Sequence, residues 1–304
     1  MSRERKYACL ALLATSIIWG IAPPVIKYTL SFISPFSFLF YRFLTALAIV
    51  LIPFILRLKK IKPKIKDLSV YFLLGFLCAP LNLGLLFLGI QKTTAIDASL
   101  ISITSPILII LGGALFLREQ ITKKEKIGIS LALLGTILII VQPLLEIKPS
   151  AGLNLEGNFL IFFGTLAWVV FTLLAKKNQK LDPFLLTCFS YLIGIVFILP
   201  FFILEKTTIN ILAIPGIIYM ALFSSVFAYF FYVFGLTKME ASEAGVFTYL
   251  QPIFAIPISA IFLGEKVTIP FLIGASTIAI GVFICERREK LLPGWMFKKK
   301  NNNR

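Results

Sequence analysis

Ten apolar stretches, each near the length of a membrane-crossing helix, dominate this chain of 304 residues. A helix needs about 20 apolar residues to cross roughly 30 Å of hydrocarbon. Lipid offers the backbone no hydrogen-bond partner, so such a segment must satisfy its own N–H and C=O groups by coiling. The stretches run Tyr7–Leu30, Ser34–Leu56, Leu68–Ile90, Ala95–Leu117 and Ile127–Pro143, then Asn158–Leu174, Pro183–Leu204, Ile211–Leu236, Ala241–Leu263 and Ile269–Cys285. The fifth and tenth are the shortest. The first continues past Trp19 to Leu30. That is too long for the apolar core of a signal peptide, so it is expected to stay as a span. Composition agrees: 59% of residues are hydrophobic and 14% charged, against about 45–50% and 25% in soluble domains. The expected fold class is an all-α integral membrane protein with ten transmembrane helices.

A net charge of +16 raises the question of a nucleic-acid partner. The cations, however, lie in short runs between the apolar stretches, which points to the lipid bilayer and not to nucleic acid. With the N-terminus placed inside, 24 Lys and Arg fall on inner flanks and five (Lys27, Lys92, Lys148, Lys206, Lys266) on outer ones. Positive charge favours the cytoplasmic side. The sequence therefore predicts a multi-pass protein of the plasma (inner) membrane with both termini cytoplasmic. The basic tail from Lys298 to Arg304 is placed to touch anionic lipid.

The chain has no His, which excludes His-ligated metals and Ser-His-Asp or Cys-His catalysis. Its four cysteines, Cys9, Cys78, Cys188 and Cys285, are scattered through apolar stretches without metal or disulfide spacing. No catalytic residue, metal or cofactor is expected. No acid lies in mid-membrane, so a carboxylate proton relay of the usual kind is not visible. Exchange, downhill export and coupling through another group all stay open.

Sliding the chain by 146 residues brings Leu117–Thr122 onto Leu263–Thr268 and Gly128 and Gly135 onto Gly274 and Gly281. The same shift pairs Asp97 with Glu243 and Pro106 with Pro252. Upstream the offset drifts to 148 and 149, where Pro35 meets Pro183 and Trp19 and Lys27 meet Trp168 and Lys176. Five spans is an odd number, so the second copy enters from the opposite side and is inverted. The predicted organisation is a first five-helix repeat (1–143), a linker (144–157), a second, inverted repeat (158–286) and the tail (287–304). Inverted repeats commonly frame a transport site near the midplane.

The pattern Trp19-Gly20, Lys27, Pro35, Arg42, Pro106, Glu119, Thr122, Gly128 and Gly135 resembles the ten-helix drug/metabolite transporter superfamily, EamA type. A second copy ends in Pro252, Glu265, Thr268, Gly274 and Gly281. The resemblance covers nearly the whole chain. It implies alternating-access movement of a small-molecule substrate, often export of amino acids or related compounds. The alternative is a channel or signalling protein, but the sequence shows neither a continuous polar lining nor a soluble output domain.

Candidate cavity residues follow from polarity at depth. Arg42 is the one charge well inside a span, about 12 Å in at 1.5 Å per residue. Burying it is costly, so it serves either as an anion contact or as a structural tie. Ser99, Ser102 and Ser105 share a helical face, and their counterparts are Gly245, Thr248 and Gln251. Both runs meet a proline, Pro106 or Pro252, that frees carbonyls of the previous turn. Cys78 and Asn82, and likewise Ser225, Tyr229 and Tyr232, recur at helical spacing. Trp19 and Trp168 are repeat partners suited to cavity walls. Pro23-Pro24 should break span 1. Asp97 and Glu243 are expected to cap spans 4 and 9; Glu119, Thr122, Glu125, Glu265 and Thr268 should position spans 5 and 10. The glycines of spans 5 and 10 suit close helix packing or a homodimer contact.

Overall fold

In the computed structural model the described residues are 3–117, 123–145, 153–178, 180–206, 208–238 and 247–286. All regular structure among them is helical. Helix α1 is Arg3–Thr29 and α2 is Pro35–Ile61. Next, α3 (Ile65–Phe76) runs through a π-helical segment, Leu77–Leu83, into α4 (Gly84–Lys92). Helices α5 (Ala95–Ser102) and α6 (Ser105–Leu117) follow, then α7 (Lys123–Leu145), α8 (Leu153–Lys177) and α9 (Pro183–Glu205). A 3₁₀ turn, Ile211–Ala213, opens α10 (Ile214–Ile218), a second π-helical segment (Tyr219–Phe227) and α11 (Ala228–Lys238). The described chain ends with α12 (Gln251–Phe262) and α13 (Ile269–Glu286).

Seven of these stretches are long and apolar enough to cross a membrane, and three shorter apolar helices accompany them. Large apolar side chains stand bare on the outside: Ile65 is 86% exposed, Phe116 77%, Leu204 76% and Phe262 77%. Water would not tolerate so much contiguous apolar surface; lipid does.

Helices α2 and α9 pack antiparallel. Glu205, at the end of α9, accepts hydrogen bonds at the start of α2 from Ser37 N (2.8 Å), Ser37 Oγ (2.7 Å), Phe36 N (3.3 Å) and Ser34 Oγ. At the other end Asp182 caps α9 through Leu185 N (3.0 Å) and pairs with Arg57 of α2 at 2.7 Å. Between the ends, Phe40 stacks on Phe202 with centroids 4.2 Å apart.

Helices α7 and α13 pack closely against each other. A Cβ on Gly135 would lie 2.7 Å from the Gly274 carbonyl, and one on Gly281 would lie 2.6 Å from that of Gly128. The pairing of 135 with 274 and 128 with 281 makes these helices antiparallel as well. The glycine faces expected to serve packing or a dimer thus close on each other within one chain.

Helix α1 packs on α11 and α12, while α8 packs on α4, α5 and α6. The expected break of span 1 is corrected: α1 runs unbroken through Pro23 and Pro24. A proline ring fixes φ near the helical value, so its disturbance is confined to the carbonyl four residues earlier, here those of Trp19 and Gly20. Gly20 lies tight against α12, where a Cβ would meet the Gln251 carbonyl at 2.7 Å. Helix α7 reaches Leu145 and α8 starts at Leu153, and residues 146–152 of the expected linker (144–157) lie outside the described residues.

Candidate functional site

The two interrupted helices define the site. Span 4 stops at Ser102, turns through Ile103 and Thr104, and restarts as α6 at Ser105 with Pro106 second. The stretch before α12 turns at Tyr249 and Leu250 and restarts at Gln251 with Pro252 second. The restarts differ by 146 residues, the repeat offset. At each point the ring lacks the N–H that a continuous helix needs.

Two π-helical segments add to this irregularity. A π turn inserts an extra residue and often marks a functional position. Its displaced carbonyls need other donors, and side chains provide them. In Tyr219–Phe227, Trp19 Nε1 donates to the Ser224 carbonyl (3.1 Å) and Tyr191 Oη to that of Ser225 (2.6 Å). The Ser225 hydroxyl donates to the Met220 carbonyl five residues back (2.9 Å) and accepts from Arg42 Nε (2.9 Å).

These elements surround a cavity with about 970 Å³ of space free of protein atoms, counting the part continuous with the outside. Eleven of the thirteen candidates line it: Trp19 from α1; Arg42 from α2; Asn82 from the first π segment; Ser99, Ser102 and Ser105 from α5 and α6; Trp168 from α8; Tyr229 and Tyr232 from α11; Thr248 from before the turn at 249–250; and Gln251 at the start of α12. Two do not, because the π turns shift side-chain register by one residue. Ser224, not Ser225, faces the cavity, and Ser225 sits behind the wall holding Arg42. Asn82 lines the cavity and donates to the Gly164 carbonyl (2.8 Å), whereas Cys78 is not part of the lining and its sulfur lies 3.1 Å from Tyr229 Oη, a lining residue. Ser224 and Thr165 also line the cavity. Thr165 lies three residues before Trp168, a spacing that could have revealed it; nothing in the sequence distinguishes Ser224 from Ser225.

Trp19, Trp168, Tyr229 and Tyr232 form one ring cluster. Centroids lie 5.2 Å apart for Trp19–Tyr232, 5.5 Å for Trp19–Tyr229 and 6.3 Å for Trp19–Trp168. Arg42 is the only charged lining residue described. It is 2% exposed, and its Nη1 is buried without an acceptor.

A second polar cluster ties the spans together at one end. Lys27 Nζ donates to the carbonyls of Ile90 (2.9 Å), Gln91 (3.2 Å) and Thr93 (2.5 Å). Thr93 Oγ1 donates to Asn158 Oδ1 (2.6 Å), and Asn158 Nδ2 donates to the Ile139 carbonyl (3.1 Å). Asp97 occupies the first turn of α5, where its own N–H is capped by Thr94 Oγ1 (2.9 Å). Its repeat partner Glu243, together with Glu119 and Thr122, lies outside the described residues. Glu265 accepts from the N–H groups of Ala95 and Ile96. Burial pushes its carboxyl above the ordinary value of 4.5, while those N–H groups and Lys27 pull the other way.

The sequence profile of the EamA-like transporter family matches the chain twice, over residues 6–141 and again over 155–286. The chain belongs to this family. It shares 31% identity over 93% of its length with an uncharacterized transporter of Archaeoglobus fulgidus, covering 99% of that protein. The uncharacterized transporter YetK of Bacillus subtilis is 30% identical over 95% of this chain and 89% of its own. YyaM of the same organism is 28% identical over 89% and 90%. A solved crystal structure superposes with a TM-score of 0.65 at 15% identity, over 91% of this chain and 96% of the other, which speaks to the fold alone. This EamA-like protein is therefore a multi-pass membrane transporter, and its cavity is the candidate substrate site.

Proposed function

We propose that the protein is a secondary transporter moving a small polar metabolite across the plasma (inner) membrane by alternating access, its working direction export of amino acids or related compounds. The observation that carries this reading is the pairing of repeat partners around one cavity. Trp19 and Trp168 meet there, and the partners Ser102 and Thr248, and Ser105 and Gln251, line it. A site shared by two copies opens to either side as the copies rock against each other.

Ten spans in two inverted five-span repeats account for several observations together. Seven long and three shorter apolar helices are available. Spans 2 and 7 (α2, α9) and spans 5 and 10 (α7, α13) meet antiparallel, and span 1 contacts spans 8 and 9 much as span 6 contacts spans 3 and 4. The Lys and Arg distribution supports a cytoplasmic location for both termini. On that topology the Lys27–Thr93–Glu265 cluster lies outside and forms the outer closure.

Counterflow in reconstituted vesicles tests the proposal. Saturable uptake accelerated by substrate on the far side is expected. Flux that rises linearly with concentration and ignores the far side identifies a channel instead.

A further inference from the structure

The cavity contains a buried cation with an unfilled bonding position. Arg42 Nε is held by Ser225, and the guanidinium carbon lies 5.6 Å from the Phe87 ring and 5.9 Å from that of Phe43. No acid among the described residues pairs with it, and Nη1 has no acceptor. An uncompensated buried charge of this kind is expensive. A ligand carboxylate would satisfy it, with the planar geometry that guanidinium groups bind well.

Charge also decides between ligand classes. The described lining offers no carboxylate to hold an ammonium group. An aromatic cage is the usual substitute, but a caged cation must sit within about 6 Å of several ring faces at once. Here Trp19 lies 5.2 to 6.3 Å from the other three rings and Trp168 lies 6.4 Å from both tyrosines, so the rings pack on one another. The rest of the lining combines an aliphatic part (Ile26, Leu83, Leu86, Ile103, Met220) with uncharged polar side chains such as Asn82, Thr165, Ser224 and Gln251.

We propose that the cavity selects a monocarboxylate without an ammonium group: the carboxylate docks on Arg42, and an apolar or aromatic body lies along the ring cluster and the aliphatic wall. This inference rests on the transporter reading and, within its class of amino acids and related compounds, selects the related carboxylates that lack the ammonium group. Ser225 is the positioning residue that orients Arg42.

The test uses the purified full chain and quenching of the cavity tryptophans by three ligands of one shape. These are 3-phenylpropionate, its amide, and phenylalanine, which adds an ammonium group to the same frame. Saturable quenching by 3-phenylpropionate is expected, with the amide and phenylalanine at least about tenfold weaker, the factor a lost charge-assisted bond of about 1.4 kcal/mol produces. Arg42→Gln should abolish that preference. If this variant does not fold, the wild-type ligand series decides alone, and Ser225→Ala should narrow the preference without removing it. Equal binding of acid and amide, tighter binding of phenylalanine, or no quenching by 3-phenylpropionate overturns the proposal. Counterflow separates it from the carrier reading. Charge-selective binding without counterflow sinks the carrier and leaves the anion site. Phenylalanine counterflow indifferent to Arg42→Gln sinks the anion site and leaves the carrier.

Discussion

Glu265 lies 2.7 Å from the backbone nitrogen of Ala95, 170 residues earlier in the chain, and caps α5 from the second half of the molecule. Its other oxygen accepts from Ile96 at 3.0 Å. The first N–H groups of a helix have no partner within it, so this carboxylate couples the loop before α13 to the helix that carries Ser99 and Ser102. Replacing Glu265 by Gln keeps the shape and removes the titration. Because burial raises the folded-state pKa, the protonated form is favoured by folding. Wild-type stability relative to Glu265→Gln should therefore be greatest below pH 4.5 and fall as pH rises through the raised value. Thermal unfolding of both proteins across that window checks this; parallel curves would contradict it.

The seam of α7 and α13 tolerates no added atoms. A Cβ on Gly135 would meet Gly274 O at 2.7 Å and Ile278 N at 2.8 Å, both backbone atoms that cannot step aside. Gly135→Ala should destabilise the protein by about 1–3 kcal/mol. A lower thermal midpoint and reduced monodisperse yield are the expected readouts.

Trp19 supplies a hydrogen bond as well as a wall. Trp19→Phe keeps most of the ring cluster but leaves the Ser224 carbonyl in the π segment without the indole donor. Leaving a buried acceptor unpaired costs about 1–3 kcal/mol. The variant should lose stability and show faster amide exchange in Tyr219–Phe227, whereas a purely apolar role for Trp19 would leave exchange unchanged.

Tyr229 and Gln251 bring polar groups to the cavity from α11 and the restart of α12. Tyr229→Phe and Gln251→Ala should each weaken ligand binding several-fold with the fold intact. Unchanged affinity in both would remove them from the site.

Topology is open to direct labelling. In a cysteine-free background, single cysteines at Lys62 and Lys177 should react with impermeant reagents only from the cytoplasmic face, and those at Lys206 and Lys266 only from outside. Opposite faces for Lys62 and Lys177 would break the inverted-repeat reading.

The apolar stretches by themselves determined that this chain is helical and membrane-embedded, because lipid leaves an uninterrupted apolar run no other way to satisfy its backbone. The 146-residue shift likewise carried Pro106 and Pro252 to matched helix restarts, a local effect of a ring with no N–H. Arg42 and the serines at helical spacing were legible because polarity at depth needs a reason. Tertiary structure decided the rest. That α1 runs unbroken through Pro23-Pro24 emerged only from the packed helix. Whether Ser224 or Ser225 faces the cavity depended on a π turn whose carbonyls are held by Trp19 and Tyr191, residues 205 and 34 positions away. That Glu265 caps α5 rather than its own neighbouring helix depended on two distant segments meeting in space. Periodicity describes one helix at a time; register slips and caps supplied across the bundle arise only when helices are packed together.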